Sequence, residues 1–202
     1  MLIGVGLGPG DKELLTLKAV RLLRSADSVF VPGKMACELV KEHCDPVVLD
    51  FPMVTDEEEI RQALERNADI IAPVALDGTA VLGILGDPNF YSTFSRQCEI
   101  LKKRHPEIDT AVEPGISSIT AFASRLQIPV NSGFLVTDGS ESDCLVMLKV
   151  RSPREAMTQL RSSGYSRFHL VERMFLEREK VYHGDDIPET CDYMSVMFAR
   201  RE

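Results

Sequence analysis

Gly4-Val5-Gly6-Leu7-Gly8-Pro9-Gly10-Asp11 comes directly after the apolar run Met1-Leu2-Ile3. Residues 1–6 read as a short buried strand, which empties into a glycine-rich loop nearly free of side chains. Thr16 is placed to N-cap a helix reaching Ser25, with Leu17, Val20 and Leu23 on one face and Lys18, Arg21 and Arg24 on the other. Residues 29–31 make a second strand, stopped by Pro32-Gly33. Strand, glycine loop, helix and strand in that order open an α/β sheet. Ligands of such sheets bind outside the carboxyl ends of the strands. A loop without side chains lets a ligand come close to backbone.

The loop does not fit a dinucleotide. That fingerprint needs glycines at relative positions one, three and six. Counted from Gly4 the sixth position is Pro9, and counted from Gly6 it is Asp11, so both registers fail. Proline also removes a backbone N–H that a phosphate would use. Asp27 lies about the right distance downstream for a ribose-binding acid, yet it precedes the second strand instead of ending it. The loop reads as a rigid wall for a small ligand, with nothing arranged for several phosphates.

Further along, Thr55-Asp56-Glu57-Glu58-Glu59 begins a helix, and Pro73 is expected to kink or end it. After Gly78 come a strand over 80–85 ending at Gly86-Asp87-Pro88, a helix over 92–104 and a strand over 110–113. The next helix spans 117–126. Strands then gather at 134–137, 145–150, 168–172, 180–182 and 193–199, with one helix over 153–162 stopped by Gly164. The pattern predicts an α/β protein of two lobes forming one functional unit: residues 1–112, a largely parallel βαβ lobe, and residues 113–202, an α/β lobe with a mixed sheet. The join falls at 112–115, and no low-complexity linker separates the lobes.

Composition narrows the function. The net charge of -8 disfavours nucleic acid as a partner. No run approaches the roughly 20 apolar residues of a membrane span, and the first residues lack a secretory signal. Cys37, Cys44, Cys98, Cys144 and Cys191 are odd in number and widely spaced, without a CxxC pair, which points to a reducing, cytoplasmic setting. The four histidines show no ligand spacing, so no metal site is expected.

Gly8-Pro9-Gly10-Asp11, Leu14-Leu15-Thr16-Leu17-Lys18-Ala19, Gly86-Asp87-Pro88 and Pro114-Gly115-Ile116-Ser117-Ser118 together resemble the tetrapyrrole (corrin/porphyrin) methylase family in order and spacing. Within it, Gly86-Asp87-Pro88-Asn89-Phe90-Tyr91-Ser92-Thr93-Phe94-Ser95 is most similar to the precorrin-2 or cobalt-factor II C(20)-methyltransferases. The resemblance implies the two-lobed tetrapyrrole methylase fold, with S-adenosyl-L-methionine as methyl donor in the cleft between the lobes. It further implies a homodimer acting on a small-molecule tetrapyrrole of the cobalamin pathway. Uroporphyrinogen-III methyltransferase, diphthine synthase and a non-catalytic S-adenosylmethionine-binding module are the alternatives.

Carried over by residue, the resemblance places Pro9, Gly86, Asp87, Phe90, Ser117, Ser118, Leu148 and Lys149 at the cofactor. Further contacts fall near Arg173 and Met174 and near 194–197. Asp87 reads either as an acceptor facing the cationic cofactor or as a side chain pinning its own turn. Methyl transfer from a sulfonium needs position and electrostatics more than a nucleophile on the protein. A base for the departing proton remains open among Tyr91, Glu113 and Glu172. Lys34, Arg96, Arg125, Lys149, Arg151 and Arg173 are the candidate cations for the substrate's carboxylates.

Overall fold

A computed structural model describes residues 1–201, which divide into two compact units, Met1–Phe134 and a second from Leu135 onward. The division falls after Phe134 and not at 112–115. The strand over 110–113 completes the first sheet, so the chain cannot leave that unit there.

The first unit is a five-stranded parallel sheet ordered β3-β2-β4-β1-β5. Its strands are β1 (Leu2–Gly6), β2 (Ser28–Pro32), β3 (Val47–Leu49), β4 (Ala80–Ile84) and β5 (Thr110–Glu113). Helices α1 (Leu17–Ser25) and α2 (Lys34–Val40) cover one face, burying Ala19, Leu23, Ala36 and Leu39 against Val5, Val31 and Val81. Helices α3 (Glu57–Asp77) and α4 (Phe94–Arg104) cover the other, burying Ile71, Ala75, Phe94 and Leu101 against Leu2, Phe30 and Leu82. Successive residues of β1 and β4 alternate between these two cores, which is why both strands are apolar throughout. Helix α5 (Ser118–Leu126) comes after β5 and buries none of its residues.

Local chemistry accounts for the boundaries. Thr16 Oγ1 accepts the Ala19 N–H at 3.0 Å, capping α1 as its position predicts. Within the expected helix start, Asp56 caps α3 by accepting the N–H groups of Glu58 and Glu59 at 2.9 and 3.1 Å. Pro73 does not end α3, which continues to Asp77. The proline lies on the exposed face, while Ala68, Ile71, Ala72 and Ala75 hold both sides of it against the sheet. Asp27 is structural: its Oδ2 accepts the Thr79 N–H at 2.8 Å and fixes the turn into β4. Neither α2 nor β3 is legible in the sequence. One starts at Gly33 without a side-chain cap, and the other is three residues long.

The second unit is a four-stranded sheet ordered β6-β9-β7-β8, with β6 (Cys144–Leu148), β7 (Tyr165–Glu172), β8 (Lys180–His183) and β9 (Ser195–Arg201). Every pairing in it is antiparallel, correcting the expected mixed sheet. Helix α6 (Pro153–Ser162) joins β6 to β7 as a crossover would, but β9 inserts between those two strands. One face packs Phe168, Leu170 and Met197 against Met157 of α6. Residues 134–137 are not a strand; Phe134 and Leu135 are exposed there.

His169 and His183 face each other across β7 and β8 with their Nδ1 atoms 2.7 Å apart. Burial, then His183 and Arg167, push the His169 pKa below its ordinary value. The unfolded chain therefore takes up that proton first. The stability owed to neutral His169 is complete above about pH 6.5 and is lost as pH falls through the lower folded value. Urea midpoints should hold steady from about pH 8 to 7 and decline below about 6.5, and His169→Gln should flatten that decline.

Candidate active site

The site begins where the chain reverses its winding. Neighbouring strands β1 and β4 send the helices after them to opposite faces, which opens a crevice at their carboxyl ends. Leu7 extends β1 by one bond, its N–H reaching the Ile84 carbonyl at 2.8 Å. Gly8 then turns to φ 75° and bridges Gly86, which has φ 72°. The Gly86 N–H donates to the Gly8 carbonyl at 2.8 Å and the Gly8 N–H to the Gly86 carbonyl at 3.4 Å. Both conformations strain a residue that carries a Cβ, and glycine adopts them freely.

On the other flank of β1 the approach is tighter. A Cβ on Gly6 would strike the backbone of Gly115 and stand 2.7 Å from the Gly86 carbonyl oxygen; a Cβ on Gly115 would strike Gly6 and Gly86 in return. The loops after β4, β1 and β5 therefore touch backbone to backbone. Asp87 joins the outer two. Its side chain is buried, with Oδ1 accepting the Asn89 N–H at 2.8 Å and Oδ2 the Gly115 N–H at 3.1 Å. Two N–H donors offset the cost of burying that charge. Both oxygens are thus used in holding the loops, the second of the two roles its sequence position suggests.

Around this clamp stand the other expected residues of the first unit. Pro9 is exposed between Gly8 and Gly10 at the lip of the β1 loop. Phe90 is 53% exposed while its N–H is held by the Asp87 carbonyl at 3.2 Å. Tyr91 has φ 50°, a strained backbone for a bulky residue. Ser92 Oγ donates to the Pro88 carbonyl at 2.5 Å, and the ring of Phe94 fills the space a Cβ on Gly4 would need. Ser117 caps α5 through the Ile119 N–H at 3.2 Å, and Ser118 is the first residue of that helix. Arg96 is engaged by Glu57 at 2.5 Å on the surface.

Glu113, at the carboxyl end of β5, is buried and paired with Lys18 Nζ at 2.5 Å. The sequence motifs do not mark Lys18 as a site residue. It stands in the first turn of α1, where the helix dipole disfavours a cation, and that misplacement is the signal that a buried acid pairs with it.

Lys34 is the first residue of α2 and Arg125 lies in the last turn of α5, both in the first unit; the remaining expected residues lie in the second unit. Lys149 comes after Leu148 at the end of β6 and gives its N–H to the Ser195 carbonyl at 2.9 Å; Arg173 comes after β7 and gives its N–H to the Met194 carbonyl at 2.8 Å. The carboxyl ends of β6 and β7 thus close on the amino end of β9, and the segments around Arg173 and Met194 become neighbours. Lys149 and Arg151 lie 5.7 and 5.0 Å from the centroid of the Tyr193 ring. Glu172 is occupied: Oε1 accepts the Asp192 N–H at 2.7 Å and Oε2 the Tyr182 hydroxyl at 3.3 Å. Lys149, Arg173, Phe175 and Arg178 all have positive φ, a concentration of strain typical of ligand clamps. Among the described residues no three His, Cys, Asp or Glu are placed to share a metal ion.

The family model for Tetrapyrrole (Corrin/Porphyrin) Methylases matches residues 1–185. A probable cobalt-precorrin-2 C(20)-methyltransferase of Methanocaldococcus jannaschii is 34% identical over 222 aligned positions, covering 98% of this chain and 95% of that protein. A precorrin-2 C(20)-methyltransferase of Sinorhizobium sp is 31% identical, covering 65% of this chain and 60% of its own. The crystal structure of the methyltransferase CobJ matches with a TM-score of 0.52 at 17% identity, covering 99% of this chain and 93% of that one; at that identity the likeness speaks for fold alone.

Two substitutions test the clamp. Gly115→Ala forces the loops apart and should cost roughly 1–3 kcal/mol in urea unfolding, as overpacking does; Gly133→Ala, with open space around it, should cost far less. Asp87→Ala removes the acceptor of two part-buried N–H groups and should cost about 1–3 kcal/mol in all. Asp87→Asn, which keeps an acceptor for one of them, should lose less in the same measurement.

Proposed function

The chain belongs to the tetrapyrrole (corrin/porphyrin) methylases, and from that premise we propose that it transfers a methyl group from S-adenosyl-L-methionine to C(20) of cobalt-factor II or precorrin-2. One observation carries the substrate: the identity to a probable cobalt-precorrin-2 C(20)-methyltransferase runs along 98% of the chain. The segment from Gly86 to Ser95, itself most similar to the C(20) enzymes, lies at the glycine clamp.

The residues at the carboxyl ends of β1, β4 and β5 fit the donor. Asp11, Asp87 and Glu113 stand there with Lys12, which pairs with Glu42, and Lys18, which Glu113 neutralises. That balance suits a cationic sulfonium and offers nothing to a chain of phosphates. When bound, S-adenosylmethionine supplies an electrophilic methyl group on sulfur. The chain's own part is to hold the reactants in line and accept the proton the ring carbon loses. The clamped backbone of Gly8, Gly86 and Gly115 provides a wall that needs no reorganisation. Of the three candidate bases, Glu113 ends β5 and Tyr91 lies in the loop between β4 and α4. Glu172 is committed to Asp192 and Tyr182.

The family reading also implies a homodimer in the cytoplasm. The five cysteines are free thiols, which fits a reducing compartment. No helix among the described residues is long and apolar enough to cross a membrane.

The protein incubated with S-adenosylmethionine and, separately, with uroporphyrinogen III, precorrin-2 and cobalt-factor II should add one methyl to precorrin-2 or cobalt-factor II, read by mass spectrometry. Methylation of uroporphyrinogen III in preference would overturn the C(20) assignment. Cofactor binding by calorimetry without turnover on any of the three would make the chain a binding module.

A further inference from the structure

The amino end of β7 carries an arrangement that methyl transfer does not use. Arg167 stands directly opposite Arg200 in the β7–β9 register, and Cys144 of β6 flanks Arg200 on its other side. Like charges facing one another destabilise a ladder. The register also slips between Tyr165 and Arg167, an irregularity of the kind that re-aims side chains near binding sites. Next along the chain, Arg201 lays its guanidinium 4.7 Å from the centroid of the Tyr165 ring. Asp143 is the one acid among the described residues that line the same place. It holds Arg200 through Nη2 at 3.0 Å and Nε at 3.1 Å.

Asp143, Arg167, Arg200 and Arg201 together line a surface cavity of about 440 Å³. Among the described residues three guanidinium groups stand against one carboxylate there, in a chain whose net charge is -8. The same field reaches His169, two residues from Arg167, as the last of three causes that hold its pKa down. The cavity is separate from the Lys149 and Arg173 cluster. It lies at the opposite end of β6, roughly 14 Å away along the strand at the rise of an antiparallel ladder.

We propose that this cavity is a binding site for a small multivalent oxyanion, a ligand bearing two or more carboxylate or phosphate groups. Guanidinium presents paired N–H donors that match the oxygens of either group. Arg167 and Arg201 are the grasping residues, and Arg200, fixed by Asp143, supplies standing charge. A bound anion also relieves the repulsion between Arg167 and Arg200, so binding stabilises the second unit.

Calorimetric titration of the full chain with propane-1,2,3-tricarboxylate and with inorganic pyrophosphate tests the site, with acetate as the monovalent control. At least one multivalent anion should bind, more tightly than acetate. The double variant Arg167→Gln/Arg201→Gln should weaken that binding at least tenfold, whereas Arg66→Gln, a surface arginine of the first unit, should leave it unchanged. Binding of the tricarboxylate alone assigns the ligand to carboxylates, and of pyrophosphate alone to phosphates. If neither binds, or if Arg66→Gln weakens binding as much as the double variant, the proposal is wrong. Should the double variant fail to fold, the unaltered protein decides. The anion must shield Arg167 and Arg201 from phenylglyoxal, read by peptide mass spectrometry, and equal labelling with and without it overturns the site.

Discussion

Three loops meet backbone to backbone at the carboxyl ends of β4, β1 and β5. Gly6 and Gly115 approach so closely that a Cβ on either would strike the other's backbone, and Gly8 and Gly86 complete a bridge across the neighbouring gap. Everything proposed for the first unit depends on this contact. It brings loops from three strands into one wall, and the buried carboxylate of Asp87 holds that wall through the Asn89 and Gly115 N–H groups. Such a wall is made of backbone, so its shape does not depend on rotamers. That is a property methyl transfer rewards, since the chemistry asks mainly for position.

The position of the wall is a consequence of topology. In the order β3-β2-β4-β1-β5, the helices after β1 and β4 leave toward opposite faces. There the carboxyl edge opens into a crevice, and the glycine loops stand on it. The second unit uses another device. Its helix crossover from β6 to β7 leaves room for β9, and the three strand ends collect Lys149, Arg173 and Met194 on a stretch of strained backbone. Strain at such positions persists only where surrounding bonds over-determine it, as the carbonyls of Ser195 and Met194 do here.

Much of this is legible in the sequence. Register counting in Gly4 to Asp11 excludes a dinucleotide, and the four motifs in order point to the family. The cap at Thr16, the helix over 117–126 and the strand over 110–113 are readable because they rest on neighbours in sequence. Failures cluster where long-range packing overrides local rules. Pro73 is tolerated inside α3 because the buried face on either side of it is held by the sheet. Residues 134–137 have strand-forming side chains but are not taken into either sheet. β3 exists only because β2 offers an edge.

The sequence by itself determined the fold class, the glycine loop's role as backbone wall and the family, because each is written in residues close together or in motifs whose spacing survives folding. Only the tertiary structure decided that Asp87 commits both oxygens to backbone, that Lys18 pairs with Glu113, that the second sheet is antiparallel and that Arg167 faces Arg200. Those partners lie far apart in the chain, and which of them meet depends on strand order, a property no local pattern of side chains encodes.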